Sequence, residues 1–298
     1  MHRWINIKKK IIAFRALFSY FNLYGYKMSA LLLYLLAVLW YPIGGLLSEE
    51  PLSLQIGMEL SNPPFETINT EGQPCGISVE LAKHLAKSLH KEAKILDIPF
   101  IGLIPSLKAH KIDLIISSMT PTDQRKKAIA FSQPYLSLGL CMLMNPQIKA
   151  TQCMDLNNEE YTIVVKTGTT AYLHAEKLFP KAKLIMLEQL SSCISEVIQG
   201  KASAFFYDQL SIYAAWKKYP TLTKADLHPI AYEWWAIGLR KEEPILQEAL
   251  NSCLQAFIEK GGIQELKKKY LSEQIQAFAK LGIPLLLSPN HRKIDEPE

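Results

Sequence analysis

The sequence predicts an α/β protein built as two units with largely parallel sheets. Three observations carry that expectation. From Thr162 onward, strand-like and helix-like segments alternate. The run DLII at 113–116 is apolar without interruption, as in a strand buried on both faces. The roughly 250 residues that follow the N-terminal segment divide into two such units more easily than they form one core.

The elements follow in order. Residues 52–58 (LSLQIGM) alternate apolar and polar side chains, the period of a strand. Asn62-Pro63-Pro64-Phe65 must run as an extended turn, because each proline restricts the residue before it. Residues 67–73, with Asn69 and Gly72, read as a hairpin or loop tip. Ser78 can cap a helix that carries Leu81, Leu85 and Leu89 on one face. A strand at 93–98, a helix at 102–109 with Pro105 in its first turn and the strand 113–116 come next. Strands are then expected at 162–166, 183–187, 202–207 and 235–240. Helices are expected at 169–179, 191–199, 209–218 and 244–259. After Gly261-Gly262 a last helix runs to about Tyr270, and 274–298 form an appended tail.

The formal net charge of +5 first suggests an anionic partner. Its distribution removes the suggestion. Residues 1–47 hold six basic side chains and no acid, leaving 27 basic and 28 acidic residues for the body, a net charge of −1. No nucleic-acid partner is therefore expected, and Lys267-Lys268-Lys269 reads as a solvated helix face. The uncharged run ALLLYLLAVLWY at 30–41 follows Lys27 and ends at Pro42 and Gly44. That is the pattern of a secretory signal, and it is short for a membrane span of about 20 residues. Residues 1–48 are read as this signal, with Met28 a candidate start and an uncleaved anchor as the alternative. The body is thus expected to be periplasmic or otherwise extracytoplasmic. Five cysteines lie in the body and form no C-x-x-C. They read as mostly buried apolar thiols, with at most one bridge.

Chemistry-bearing motifs are few. The seven histidines show no metal-ligand spacing, and there is no G-x-S-x-G elbow, so neither a metal nor a cofactor is expected. Three strand ends stand out. Ser117-Ser118-Met119-Thr120 follows the buried strand and brings Arg125 within reach of the same place. Lys166-Thr167-Gly168-Thr169-Thr170 leads from a strand into a helix N-terminus, which favours an anion. Asp208 closes the strand ASAFFY and suits a cation. Ligands of open α/β sheets bind at the carboxyl ends of strands. Together the three segments describe a site for a zwitterion.

The stretch GLIPSLKAHKIDLIISSMTPTDQRKKAIAFSQPY (102–135), with NPPFE, KTGTT, FFYDQ, AIGLRKEEP and GGIQELKKKYL elsewhere, resembles the bacterial extracellular solute-binding proteins of family 3, the polar amino-acid receptors of ABC importers. The resemblance spans about 52–271. It implies a two-lobed type II periplasmic-binding-protein fold, each lobe a mostly parallel sheet flanked by helices, joined by two hinge strands. Lobe 1 would comprise 50–142 plus 233–273, and lobe 2 would comprise 143–232. Carried over by position, Arg125 would grip the ligand α-carboxylate, a role suited to the bidentate guanidinium. Thr120 would offer its N–H to the carboxylate and its hydroxyl to the ammonium. Ser118, with Ser117 and Met119 beside it, would present a carbonyl to the ammonium. Thr170 would donate from the second lobe, and Asp208 would pair with the ammonium. Phe100 would wall the ligand side chain, while Glu59 and Lys166 would face its far end.

Two positions depart from the family pattern: Asn62 stands where an aromatic is usual, and Gly76-Ile77-Ser78 replaces the common G-F/Y-D. The implied function is capture of a polar L-amino acid, glutamine-like before basic, by hinge closure. The implied partners are the free ligand and an importer's permease and ATPase, with a monomeric, non-enzymatic receptor. The alternatives are an enzyme of the same fold, dehydratase-like, or a sensor input domain.

Overall fold

The computed structural model describes residues 52–285 and 287; the expected signal segment and the end of the expected tail lie outside the described residues. β1 (Ser53–Met58) buries Leu54, Ile56 and Met58 completely, a contribution of about 1.5–3 kcal/mol for each side chain. It lies between two parallel neighbours, β4 (Glu92–Asp97) and β5 (Leu114–Ile115). A small hairpin of β2 (Thr67–Ile68) and β3 (Pro74–Cys75) stands apart from this sheet. α1 (Ile77–Ser88) lays Leu81, Ala82, Leu85 and Ala86 on the core. Its N-cap is Gly76, not the expected Ser78. Gly76 has φ 116°, and a Cβ there would stand 2.3 Å from the Phe65 carbonyl, so only glycine fits.

α2 (Phe100–Lys108) begins two residues before its expected start, which places Pro105 inside the helix rather than in its first turn. α3 (Asp123–Ala128) is capped by the Thr122 hydroxyl, which accepts from the Arg125 N–H at 3.2 Å. In the second half, β7 (Thr162–Lys166) pairs in parallel with β8 (Lys183–Leu187) and β9 (Ala204–Asp208). These strands alternate with α4 (Thr170–Leu178), α5 (Leu190–Ile198) and α6 (Gln209–Lys218).

The resemblance implies the pair of long central strands, which the residue pattern alone does not show. β6 (Ala130–Met144) and β10 (Lys224–Leu239) run antiparallel along each other. They join both halves into one ladder of order β4-β1-β5-β10-β6-β9-β7-β8. Only the end of β10 was expected as a strand from the residues. Pro134 disguised β6, since proline cannot donate to a ladder. The structure absorbs it at a register shift, where the Ala236 N–H turns away to the Met119 carbonyl at 3.0 Å.

α7 (Pro244–Glu259) takes its proline at the start of the helix, where a missing N–H costs nothing. α8 (Gly262–Leu281) runs well past the expected end at Tyr270. Its first half binds α1, with Glu80 accepting from Lys269 Nζ at 3.1 Å and from the Tyr270 hydroxyl at 3.2 Å. Its second half reaches α6, where Phe278 packs 5.3 Å from Tyr213. Gly282, in the left-handed region, stops it, and Leu287 is again buried. Residues 274–285 and 287 are thus largely integral to the body. All five cysteines are free, and burial holds the thiols of Cys141, Cys153 and Cys193 well protonated.

Candidate functional site

The carboxyl ends of β1, β5, β7 and β9 converge on one pocket, an empty space of about 460 Å³ measured out to its mouth. Most of the residues expected from the sequence line it. Ser117 receives the Glu59 N–H at 2.9 Å and so locks the end of β1 to the end of β5. Ser118 adopts φ 50°, an uncommon conformation for a side-chain-bearing residue and one concentrated at functional sites. Arg125 Nη1 donates to the Thr120 carbonyl at 2.7 Å, and its Nη2 crosses to the Gly168 carbonyl at 2.8 Å. Its guanidinium sits 5.3 Å from the centre of the Phe100 ring. Thr170 opens α4 and is 5% exposed. Asp208 is buried, and its two oxygens accept from the Ser211 N–H at 2.9 Å and hydroxyl at 2.7 Å, which caps α6.

Two expected residues stand elsewhere. Met119 turns its side chain into the apolar cluster of Leu103, Leu107 and Ile115 and has no face on the pocket. Lys166 lies behind the wall, 3% exposed, with its Nζ 2.5 Å from Glu59 Oε2 and 5.3 Å from the Phe100 ring centre. Asn62 lines the pocket without acting as a side-chain wall. Its amide donates to Glu66 and Ser118, both at 3.2 Å, and its oxygen accepts from the Ser211 hydroxyl at 3.3 Å. Ser78, expected as a cap, places its hydroxyl beside Glu66.

Sequence reasoning missed two acids. Glu66 accepts from the Ser118 hydroxyl at 2.7 Å, and Glu233 stands on β10 within the pocket wall. Burial pushes the carboxyls of both up to about 7 and raises that of Asp208 as well. The Arg125 guanidinium beside Glu233 works against that rise. Each acid had a signal in the chain: Glu66 ends the NPPFE turn, and Glu233 is a lone charge in the apolar run EWWAIGL. Tyr207, Trp235 and Leu140 complete the wall. Among the described residues, no group of three or more His, Cys, Asp or Glu side chains could hold a metal ion.

This arrangement offers a guanidinium at one place and carboxylates at another, in a buried cleft between two sheet halves. The family model of the bacterial extracellular solute-binding proteins, family 3, matches residues 54–273. The chain belongs to that family. It is 29% identical over 231 residues to the histidine-binding periplasmic protein of Salmonella typhimurium, covering 74% of this chain and 88% of that one. An ancestral arginine-binding protein bound to glutamine is structurally similar, with a TM-score of 0.68 and 28% identity over 74% of this chain and 97% of that one. The ancestral amino-acid-binding protein AncCDT-1, a precursor of cyclohexadienyl dehydratase, is similar with a TM-score of 0.67 and 29% identity, covering 74% and 95%. The structural neighbours are two-lobed amino-acid-binding proteins, and in this chain the long strands β6 and β10 join the two halves of the sheet.

Proposed function

We propose that this chain is the extracytoplasmic receptor of an ABC importer. It captures a polar L-amino acid between its lobes and delivers it to a permease driven by an ATPase, acting as an exported monomer without a cofactor. Arg125 and Thr120 receive the α-carboxylate, while Asp208, the Thr120 hydroxyl and the Ser118 carbonyl receive the ammonium. Only the closed cleft makes all these contacts, so the ligand favours closure.

The ion pair of Lys166 with Glu59, at 2.5 Å, carries the choice of side chain. The pair is neutral as a whole, yet it presents Glu59 as an acceptor at the pocket wall beside a bound ammonium. An amide N–H can donate to Glu59 and leave its pairing with Lys166 intact, whereas a guanidinium would have to displace Lys166 to gain its full charge. Glutamine is therefore favoured. A basic amino acid is the second reading, supported by the additional acids Glu66 and Glu233. A thermal-shift panel over the twenty amino acids tests both. Glutamine should stabilise the wild type most, and Lys166→Ala should shift the ranking toward arginine, lysine and histidine. Stabilisation by no amino acid rejects the receptor reading.

The enzyme reading rests on two buried carboxyls in the pocket, Glu66 and Glu233, which burial pushes up to about 7. It requires that the captured amino acid be consumed; recovery of the bound amino acid unchanged, measured by NMR after prolonged incubation, excludes it.

A further inference from the structure

One acid in the pocket has no part in the contacts assigned so far. Glu233 is 7% exposed and faces the pocket from β10. Its Oε1 is buried with no hydrogen-bond partner. The Thr120 hydroxyl and the Trp235 indole lie beside its carboxyl in the same pocket wall, and neither completes a hydrogen bond with it. The Arg125 guanidinium attracts it through space. The segment bearing Thr120 is held against the same strand, because the Ala236 N–H donates to the Met119 carbonyl at 3.0 Å. The placement of Glu233 relative to Thr120 is therefore fixed by backbone.

We propose that Glu233 is a positioning residue for the amino-acid head group: as a carboxylate it takes the Thr120 hydroxyl proton, which turns the oxygen lone pairs of Thr120 toward the ligand ammonium, and it balances the buried Arg125 guanidinium before the ligand carboxylate arrives. This role rests on the reading of Thr120 and Arg125 given above. The chemistry follows from counting donors. An ammonium has three donors and no acceptor, and a hydroxyl has one proton and two lone pairs. Thr120 can accept from the ammonium only when its own proton has another destination. Glu233 is an acceptor alone when ionised, and it stands beside that hydroxyl.

The role depends on pH. The groups facing Glu233 are Arg125 from α3 and Asp208 from the end of β9, with Tyr207 beside them and Glu59 and Glu66 across the pocket. Burial holds the Glu233 carboxyl at about 7, so below that pH it is protonated and no longer an acceptor alone. Affinity for an amino acid should then fall as the pH falls through this value. Glu66 titrates over the same range, and variants of Glu233 separate the two.

Calorimetry on the full chain with glutamine and with 4-carbamoylbutanoate, which lacks the ammonium, tests the proposal. Glu233→Leu should weaken glutamine by roughly tenfold, the scale of a hydrogen bond to a charged group, and weaken 4-carbamoylbutanoate much less. Glu233→Gln should flatten the fall in glutamine affinity between about pH 8.5 and about pH 6. Equal losses for both ligands, or unchanged glutamine binding by Glu233→Leu, would overturn it. Should the leucine variant not fold, or the analogue not bind, the pH profile of Glu233→Gln decides, and a profile like that of the wild type overturns the role alone. A wild type that binds no amino acid overturns the functional reading and this role with it.

Discussion

Arg125 and Asp208 carry opposite charges to the two ends of an amino acid, and each is also part of the fold. Arg125 ties α3 to the loop before α4 through the Gly168 carbonyl, and Asp208 caps α6 through Ser211. A charge-assisted hydrogen bond contributes about 1.5–3 kcal/mol. Arg125→Ala and Asp208→Ala should therefore each weaken ligand binding by roughly tenfold or more, measured by calorimetry. The alanine at 208 also removes a helix cap, which costs about 0.5–2 kcal/mol of stability. Asp208→Asn keeps an oxygen for the Ser211 N–H, so it should lose affinity while melting close to the wild type. Wild-type affinity in the Arg125 variant or the Asp208→Asn variant would remove that residue from the site. The residue types of Arg125, Thr170 and Asp208, and their places at or just beyond strand ends, are legible in the chain. Met119 is not, because adjacent residues of an irregular segment point in different directions and no periodicity says which faces the cleft.

At the scale of elements, strands and helices of ordinary length were read within a few residues. β7, β8, α6 and α7 have the expected bounds, since their apolar pattern and their capping residues agree. β6 and β10 were hidden because Pro134 and Pro229 interrupt them and their burial removes the alternation that marks a half-exposed strand. α8 was cut short because the residues after Leu271 look polar, although Phe278 still falls on its buried face. Phe278 is 1% exposed and packs on Tyr213 of α6. Phe278→Ala should cost about 3–5 kcal/mol, read as a shifted midpoint in chemical denaturation. A loss within about 0.5 kcal/mol, the range for surface changes, would show that the second half of α8 is dispensable.

For the whole molecule, the acids buried in the pocket make stability depend on pH. Glu66 and Glu233 sit at about 7 in the folded protein against an ordinary 4.5. The folded state therefore binds more protons than the unfolded chain between those values. Their contribution to stability is complete below about 4.5 and is lost as the pH rises through about 7. The ligand-free receptor should melt at a lower temperature at about pH 8 than at about pH 5.5, and Glu66→Gln should reduce that difference. A melting temperature that climbs from pH 5.5 to 8, unaltered in the variant, contradicts the burial of these carboxyls as charged groups.

The sequence by itself determined the α/β class, the strand-end loops that offer donors and acceptors, the family, and the near-neutral charge of the body. All of these rest on local pattern: period, capping and residue type at a strand end. Only the tertiary structure decided that Lys166 spends its charge on Glu59, that Asn62 and Ser118 bond Glu66, and that Glu233 joins the pocket from a central strand. Those pairings bring together residues as far apart as Glu59 and Lys166, 107 positions along the chain. The energy that selects them comes from excluding water around charges, and the packing of both lobes has to exist before that energy can act.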